Sequence, residues 1–245
     1  MDELFKWPEF LDEFAEAALR QEFRSEVLLD TQDGPMMAWE KDGEGSLVYA
    51  SAGIHGDEPA GPLALLEMMR AGSFSDRHHW LICPALNPGG LAMSRRENRE
   101  GIDLNRDYLL QSTLEIAAHA RWLKRDRVPD VFVSLHEDWE TEGFYFYEIN
   151  LLEDQPQRAS DILEAVAESF PAELGAEIDG HEPRAAGWIY HGAEADLPNE
   201  WPEAIYLAKQ GCPLSFTFET PSQADLAKRV AAHVSAFQRL LRLIG

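Results

Sequence analysis

Four short, continuous apolar segments constrain the fold of this chain more than any other sequence feature. Helical patterns lie between and after them, including a long amphipathic pattern from Leu226 to Leu241. Continuously apolar strands belong to sheets covered on both faces, and strands alternating with helices form layered α/β folds. The chain is therefore predicted to be an α/β three-layer sandwich, with a mostly parallel or mixed central sheet and helices on both faces. The predicted strands are 46–52 (SLVYASA), 80–86 (WLICPAL), 131–135 (VFVSL) and 214–218 (LSFTF).

Length and continuity indicate one domain. A chain of 245 residues can bury one substantial core, and the sequence contains neither repeats nor a linker-like segment. The N-terminal stretch carries Phe10, Phe14 and Ala17 at helical spacing, which predicts a helical extension over residues 1–25. Residues 1–245 are thus expected to form a single domain that begins with this helix.

The net charge of −23 excludes several classes of partner. Such a chain repels phosphate backbones and anionic lipid surfaces, so neither nucleic-acid nor membrane binding is expected. The acidic N-terminus does not have the pattern of a signal peptide, and no apolar run approaches the roughly 20 residues that cross a bilayer. Two cysteines, Cys83 and Cys212, are too few for a disulfide framework or a cysteine metal site. We therefore expect a cytoplasmic protein, whose oligomeric state the sequence leaves open.

Chemically active side chains follow three of the predicted strands. His55 comes after the first, His136 ends the third and Glu219 ends the fourth, while the second runs into the turn 87–90 (NPGG). In open α/β sheets, ligands bind beyond the carboxyl ends of the strands. The sequence therefore predicts that these side chains meet at one edge of the sheet.

His55, Glu58 and His136 are the candidate metal ligands. His55 and Glu58 lie where a strand gives way to a helix, and Gly56 between them allows the backbone to bend. Two imidazole nitrogens and one carboxylate leave a fourth tetrahedral position open, which is typical of a catalytic zinc ion. The prediction is one Zn²⁺ per chain. The other histidines, including His181 and His191, are not expected to be ligands.

A cluster of arginines stands out in this acidic chain. Arg95, Arg96, Arg99 and Arg106 fall within twelve residues. Arg95 and Arg99 are interpreted as solvated residues that pair with neighbouring acids. A guanidinium group can bind a carboxylate through two parallel hydrogen bonds, so the cluster suits a substrate with an anionic end.

The wider set of motifs occurs in a recognisable order. It comprises the HxxE pair, the NPxG turn, the run 96–106 (RENREGIDLNR), the strand-end His136, and FTFE ending at Glu219. With these motifs the chain resembles the zinc carboxypeptidase (carboxypeptidase A-like) family, particularly its short bacterial cytosolic members. The resemblance spans about two thirds of the chain. It implies the same layered α/β fold and a zinc-dependent hydrolase.

The resemblance also implies roles for the residues around the metal. His55, Glu58 and His136 would bind zinc, and Glu219 would be the general base that takes a proton from the zinc-bound water. Such a proton transfer is favourable because zinc lowers the pKa of its water to roughly 7. Asp103 has a weaker case, as a carboxylate that orients a ligand histidine.

Further roles concern the substrate. Arg96 would polarise the scissile carbonyl and stabilise its oxyanion, and Asn105 with Arg106 would grip a terminal carboxylate. Tyr190 would be the mobile tyrosine that closes over the substrate, with Tyr206 as the other candidate. The segment 181–210, rich in Trp, Pro and acids, is predicted to carry the pocket for the substrate side chain.

These observations predict a metallocarboxypeptidase-like hydrolase that cleaves an amide bond next to a free carboxylate, in a small peptide or amidated amino acid. One alternative is an N-acyl amino acid hydrolase of the aspartoacylase or succinylglutamate desuccinylase type. Such enzymes share the HxxE pair, a DxNR run and a distant histidine; the NPxG turn and the FTFE strand favour the peptidase. A further alternative is a non-catalytic zinc- or peptide-binding homologue, against which Glu219 argues.

Overall fold

The computed structural model describes residues 5–125 and 128–245. Within these ranges eight strands form one mixed sheet, in the order β1-β2-β4-β3-β5-β8-β6-β7. The strands are β1 (Arg24–Thr31), β2 (Gly34–Lys41), β3 (Leu47–Ala52), β4 (His79–Cys83), β5 (Val131–Asp138), β6 (Tyr145–Asn150), β7 (Trp188–Tyr190) and β8 (Leu214–Pro221).

The four predicted strands form the parallel centre of the sheet. β3 pairs in parallel with β4 and β5, and β5 pairs in parallel with β8. Every residue of β3 is buried, as expected for a strand covered on both faces. The antiparallel pairings β1–β2, β2–β4 and β6–β8 extend the sheet on both sides. The predicted mixed sheet is confirmed.

Seven helices cover the two faces of this sheet within the described ranges. Their apolar side chains divide into a larger cluster on the α1, α2, α5 and α7 face and a smaller one on the α4 and α6 face. The predicted three-layer sandwich is therefore confirmed. The helices are α1 (Trp7–Arg20), α2 (Ala60–Arg70), α3 (Pro88–Met93), α4 (Leu114–Leu123), α5 (Pro156–Val166), α6 (Glu203–Gln210) and α7 (Leu226–Ile244).

The N-terminal helix belongs to the core of the molecule. Trp7, Phe10 and Phe14 of α1 are buried in the larger cluster, and α1 packs against α2 and α3. The predicted extension 1–25 thus contains a helix that completes one layer; residues 1–4 lie outside the described ranges. No helix in those ranges is both long and apolar enough to cross a membrane.

Candidate metal centre and active site

Three buried side chains converge at the carboxyl ends of β3 and β5. His55 Nδ1 lies 2.6 Å from Glu58 Oε1, and His136 Nδ1 lies 3.0 Å from Glu58 Oε2. The possible ligand atoms of the three residues all lie within 4.8 Å of one another. The structure therefore brings together His55, Glu58 and His136, although Glu58 and His136 are 78 residues apart in sequence.

Tight packing between two loops positions His55. A Cβ atom on Gly56 would lie 1.9 Å from the carbonyl carbon of Gly90, so only glycine fits there. Asn87, at the start of the NPGG turn, accepts a hydrogen bond from the Gly90 backbone and donates to the carbonyls of Ile54 and Arg96. The turn thus holds the His55 loop against the loop that carries Arg96.

Asp103 connects the candidate ligands to the arginine. Its Oδ1 lies 3.1 Å from His55 Nε2, and its Oδ2 accepts a hydrogen bond of 3.0 Å from Arg96 Nε. A carboxylate that contacts the second nitrogen of a ligand histidine fixes the ring orientation and raises its basicity. The weaker prediction made for Asp103 agrees with this geometry.

The charges in this cluster depend on one another. Burial disfavours the imidazolium of His55, but the Glu58 and Asp103 carboxylates outweigh burial and raise its pKa to about 9. Burial likewise disfavours ionised Glu58, but the two imidazoles hold the pKa of its carboxyl below the usual range. Burial, in contrast, lowers the pKa of His136, so its ring is neutral and keeps a lone pair for a metal, beside a carboxylate that stays ionised.

Glu219 lies beside the candidate metal centre. It occupies β8, where it pairs with His136 of β5 on one side and with Tyr145 of β6 on the other. Burial, together with the nearby Glu58 carboxylate, raises the pKa of Glu219 well above its usual range. A buried carboxyl group with such an affinity for protons is a candidate general base once a nearby positive charge offsets the Glu58 carboxylate.

A single cavity of about 470 Å³ gives access to all of these groups. Arg96, Asn105 and Arg106 line it, together with His55, Glu58, His136 and Glu219. Asn105 and Arg106 belong to a short 3₁₀ turn, Leu104–Arg106, whose first residue follows Asp103. The Asn105 side chain accepts a hydrogen bond from the Glu203 backbone, and the Arg106 guanidinium donates to the Asn105 carbonyl. The loop 96–106 therefore presents two guanidinium groups to the cavity.

Tyr190 does not lie with the other predicted residues. It is opposite Glu148 in the β6–β7 register and packs against the larger core cluster, under the guanidinium of Arg184. Residues at successive strand positions point to opposite faces, so the neighbouring Ile189 faces the cavity side of the sheet, with Tyr145 and Tyr147. Tyr206, the other candidate, is buried against Tyr108. The tyrosines that line the cavity are Tyr145 and Tyr147.

Two features of the cavity were missed in the sequence. Tyr147 donates a hydrogen bond to Asp179, and Glu203, buried at the cavity wall, accepts hydrogen bonds from Tyr49 and Ser51. Alternation along 145–149 could have placed Tyr145 and Tyr147 on one face. Glu203 has no such signal, because it reaches the cavity only by the packing of α6 on the sheet.

The predicted substrate segment 181–210 borders the cavity. Residues 191, 196, 197, 200 and 202–205 line its wall. Acidic side chains outnumber the arginines around the cavity, and Asp138 and Asp179 lie on the β6 side, where they accept hydrogen bonds from Tyr145 and Tyr147. The arginines of the cavity therefore lie on the side of the loop 96–106, and the β6 side is negatively charged.

The donor set fits a divalent cation. Two imidazole nitrogens and a carboxylate at one buried point provide three ligands and leave a fourth position towards the cavity. Nitrogen and oxygen donors in this combination suit zinc and related transition metals.

Comparisons with known proteins agree with this site. The model of the succinylglutamate desuccinylase/aspartoacylase catalytic domain matches residues 44–219, which include all three candidate ligands and Glu219. This is the family of the acylases considered above as an alternative. No curated protein sequence matches the chain.

Solved structures show the same fold. A candidate metallopeptidase of Shewanella amazonensis SB2B has a TM-score of 0.84 at 22% identity, covering 97% of this chain and 93% of its own. Another, of Shewanella denitrificans OS217, has a TM-score of 0.84 at 24% identity, covering 97% and 90%. A metallo-carboxypeptidase of Burkholderia cenocepacia has a TM-score of 0.71 at 17% identity, covering 100% and 71%. The carboxypeptidase-like fold that the resemblance implied is thus confirmed. The chain belongs to the succinylglutamate desuccinylase/aspartoacylase catalytic-domain family, with a carboxypeptidase-like fold, and is a metallohydrolase.

Proposed function

We propose that the protein hydrolyses an amide bond adjacent to a free carboxylate in a short peptide, with zinc as its metal. The observation that carries the proposal is the meeting of His55, Glu58, His136, Glu219 and a two-arginine loop at one cavity. This arrangement pairs a metal centre with a proton acceptor and with a carboxylate-binding group.

His55, Glu58 and His136 would hold the ion, and Asp103 would orient His55. When bound, zinc supplies Lewis-acid chemistry: it polarises a carbonyl and makes a water molecule acidic near neutral pH. The donor set of two imidazoles and one carboxylate supports zinc over magnesium or calcium, which prefer oxygen ligands.

Glu219 would accept the proton of the attacking water and pass it to the leaving amine. Its burial beside His136 supports this role, because a carboxylate in a dry site binds a proton more tightly than one in water. The guanidinium of Arg96 would stabilise negative charge as it develops on the scissile carbonyl oxygen. Asp103 already orients this guanidinium.

Asn105 and Arg106 would bind the substrate carboxylate. Among the described residues no carboxylate oxygen lies within 4.0 Å of the Arg106 guanidinium, which donates a hydrogen bond to the Asn105 carbonyl. A guanidinium group at a cavity wall is well placed to receive a carboxylate through two hydrogen bonds.

The charge of the β6 side favours a peptide over an N-acyl amino acid. Asp138 and Asp179 on that side would attract a free amino group and repel the second carboxylate of an N-succinyl substrate. The family match supports the second candidate, an N-acyl amino acid hydrolase, since the family is described by desuccinylase and aspartoacylase activities. Both candidates share the cleaved bond and the adjacent carboxylate.

Metal analysis and the Glu219→Gln substitution test the proposal. We expect about one zinc ion at His55, Glu58 and His136 that Glu219→Gln retains, with turnover reduced by ~10²- to 10⁴-fold because the base is lost. Glu194→Gln, at an exposed carboxylate outside the cavity that pairs with Lys209, is the matched control and should keep its activity. Turnover retained by Glu219→Gln would rule out Glu219 as the base.

A substrate panel separates the candidate functions. Dipeptides and tripeptides with free termini should be cleaved faster than N-acetyl or N-succinyl amino acids. The reverse preference would establish the acylase. Zinc bound without turnover of any amide in the panel would instead favour a non-catalytic binding protein.

A further inference from the structure

We propose that His181, His191 and Asp196 form a second divalent-metal site at the wall of the cavity. Their possible ligand atoms lie within 4.8 Å of one another, and His191 and Asp196 line the cavity. None of the three belongs to the candidate catalytic centre. The inference goes beyond the proposed function and does not depend on it.

The distances match the coordination of a metal better than an ion pair. His191 Nε2 lies 3.4 Å from Asp196 Oδ1, and His181 Nε2 lies 3.5 Å from Asp196 Oδ2. Hydrogen bonds between nitrogen and oxygen usually measure about 2.7–3.2 Å. Tetrahedral ligands bound at about 2.1 Å are separated from each other by roughly 3.4 Å. The spacing of Asp196 from each imidazole is thus that of two ligands around one ion, and one ligand atom from each of the three residues lies within 4.8 Å of the others.

The protonation of His191 leaves its inner nitrogen available. His191 Nδ1 lies 2.5 Å from the carbonyl oxygen of Gly192, which can only accept a hydrogen bond. Nδ1 therefore carries the proton, and in the neutral ring the lone pair is on Nε2, the atom that faces Asp196. A histidine held by a backbone carbonyl in this way is typical of metal ligands.

Backbone hydrogen bonds fix the main chain at His181 and His191, and Tyr147 packs against both imidazole rings. His181 exchanges two backbone hydrogen bonds of 2.9 Å with Ile178, and the backbone nitrogen of His191 donates to the Glu148 carbonyl. The ring of Tyr147 packs edge-on against both imidazoles, with centroids 5.4 and 5.9 Å away, and its hydroxyl donates to Asp179. Two ligands are thus preorganised, and the exposed Asp196 completes the set.

Zinc is the ion that suits these donors. Two imidazoles and one carboxylate leave a fourth position for water or for a polar group of the substrate. Bound there, the ion would tie the loop that carries Asp196 to the edge of the sheet at β6 and β7. It would also reduce the negative charge on this side of the cavity, so occupancy would alter which substrates bind.

Equilibrium dialysis against Zn²⁺ followed by metal analysis tests the inference. The wild-type protein should bind two equivalents, and His191→Ala and Asp196→Asn should each bind one. Glu194→Gln is the matched control, because it removes a charge from the same loop, where Glu194 pairs with Lys209, and it should bind two. His136→Ala should lose the other equivalent and keep this one. Circular dichroism checks that every variant folds.

Two outcomes would overturn the second site. One is a wild-type protein that binds a single equivalent, lost in His136→Ala and kept in His191→Ala; this leaves the proposed function intact. The other is a second equivalent that survives both His191→Ala and Asp196→Asn. A wild-type protein that binds a single equivalent, lost in His191→Ala and kept in His136→Ala, would instead contradict the proposed function and leave the second site standing. Cobalt(II) in place of zinc should give the visible absorption of a four-coordinate ion, diminished in His191→Ala.

Discussion

The Asp103 carboxylate joins the two halves of the active site. One of its oxygens contacts His55 Nε2 and accepts from the Asn105 backbone, and the other accepts from Arg96. Burial opposes its ionisation, but these partners keep the pKa of Asp103 below the usual range. One residue therefore orients a candidate metal ligand, the Arg96 guanidinium and the turn that carries Asn105 and Arg106.

Asp103→Asn should weaken metal binding. Asparagine has one oxygen and an NH₂ group, so it cannot accept hydrogen bonds from both His55 and Arg96. We expect zinc affinity to fall by ~10- to 100-fold, as for other partners of ligand histidines, measured by competition with a chelator. Glu97→Gln, at a partly exposed acid paired with Arg95, is the control. Unchanged affinity in Asp103→Asn would show that His55 does not need this carboxylate.

Arg106→Ala should affect only substrates with a free carboxylate. A charged hydrogen-bonding partner contributes about 1.5–3 kcal/mol, which corresponds to a KM higher by roughly 10- to 100-fold. The C-terminally amidated form of the same peptide should show little difference between the variant and the wild type. Arg99→Ala, which removes a guanidinium paired with Asp33 outside the cavity, controls for loss of charge. Equal losses for both peptides would place Arg106 outside carboxylate recognition.

Loops that touch backbone to backbone position the strand-end residues. The sequence suggested that Gly56 allows a bend, but the structure gives a stricter reason: the backbone at Gly90 occupies the space of a side chain at position 56. Gly53, at φ +62°, directs the chain out of β3 before this contact. Glycine is needed in the first case for close approach and in the second for the left-handed conformation.

Gly56→Ala should therefore disturb the metal centre as well as stability. The added methyl group would force apart the loop of His55 and the turn at Gly90, at a cost of about 1–3 kcal/mol typical of overpacking. We expect a lower free energy of unfolding in urea and weaker zinc binding. At Gly192 an added Cβ meets no atom within 4 Å, so Gly192→Ala is the matched control. A Gly56→Ala variant as stable as the control would contradict the packing argument.

Strand register explains why Tyr190 does not face the cavity. Motif order alone cannot distinguish a residue at position 190 from one at position 189, although the two point to opposite faces. The apolar segments, by contrast, identified the central strands with small shifts of their ends. A strand that is buried on both faces consists of an uninterrupted run of apolar residues, which is easy to recognise in a sequence. β7 has only three residues, too few to show an alternation of buried and exposed positions in the sequence.

A buried polar network links three elements across the smaller face of the molecule. Tyr108 donates to His119, His119 to Tyr49, and Tyr49 to Glu203; Ser51 also donates to Glu203. Burial lowers the pKa of His119 to about 3, so the ring is neutral and can accept from one tyrosine and donate to the other. The network connects β3, α4 and α6 behind the cavity.

Global stability should depend on pH through Glu203. Burial raises the pKa of this carboxyl to about 7 in the folded protein, despite the hydrogen bonds that it accepts from Tyr49 and Ser51. The unfolded chain releases the proton at about pH 4.3. Between these values the folded state binds more protons than the unfolded state, so the Glu203 contribution to stability falls as pH rises to about 7 and then levels off. The loss is on the order of 4 kcal/mol at most.

Glu203→Gln should remove this pH dependence. The free energy of unfolding is measured in urea on zinc-loaded protein. As the pH rises from about 5 to about 7.5, it should fall more in the wild type than in the variant, because only the wild type has the Glu203 carboxyl group. Glu200→Gln, at an exposed carboxylate of the same segment, should track the wild type. A constant difference across this range would mean that Glu203 ionises normally in the folded protein.

Sequence alone determined the strands of the parallel centre, the fold class and the residues that meet at its edge. These follow from local composition and from the rule that parallel strands end together, so the positions of His55, His136 and Glu219 along the chain are enough to assign them to one site. Only the tertiary structure decided which groups face the cavity. Strand register turned Tyr190 away, the packing of α6 brought in Glu203, and loop contacts gathered His181, His191 and Asp196. Such placements depend on contacts between distant segments, and no local pattern encodes them.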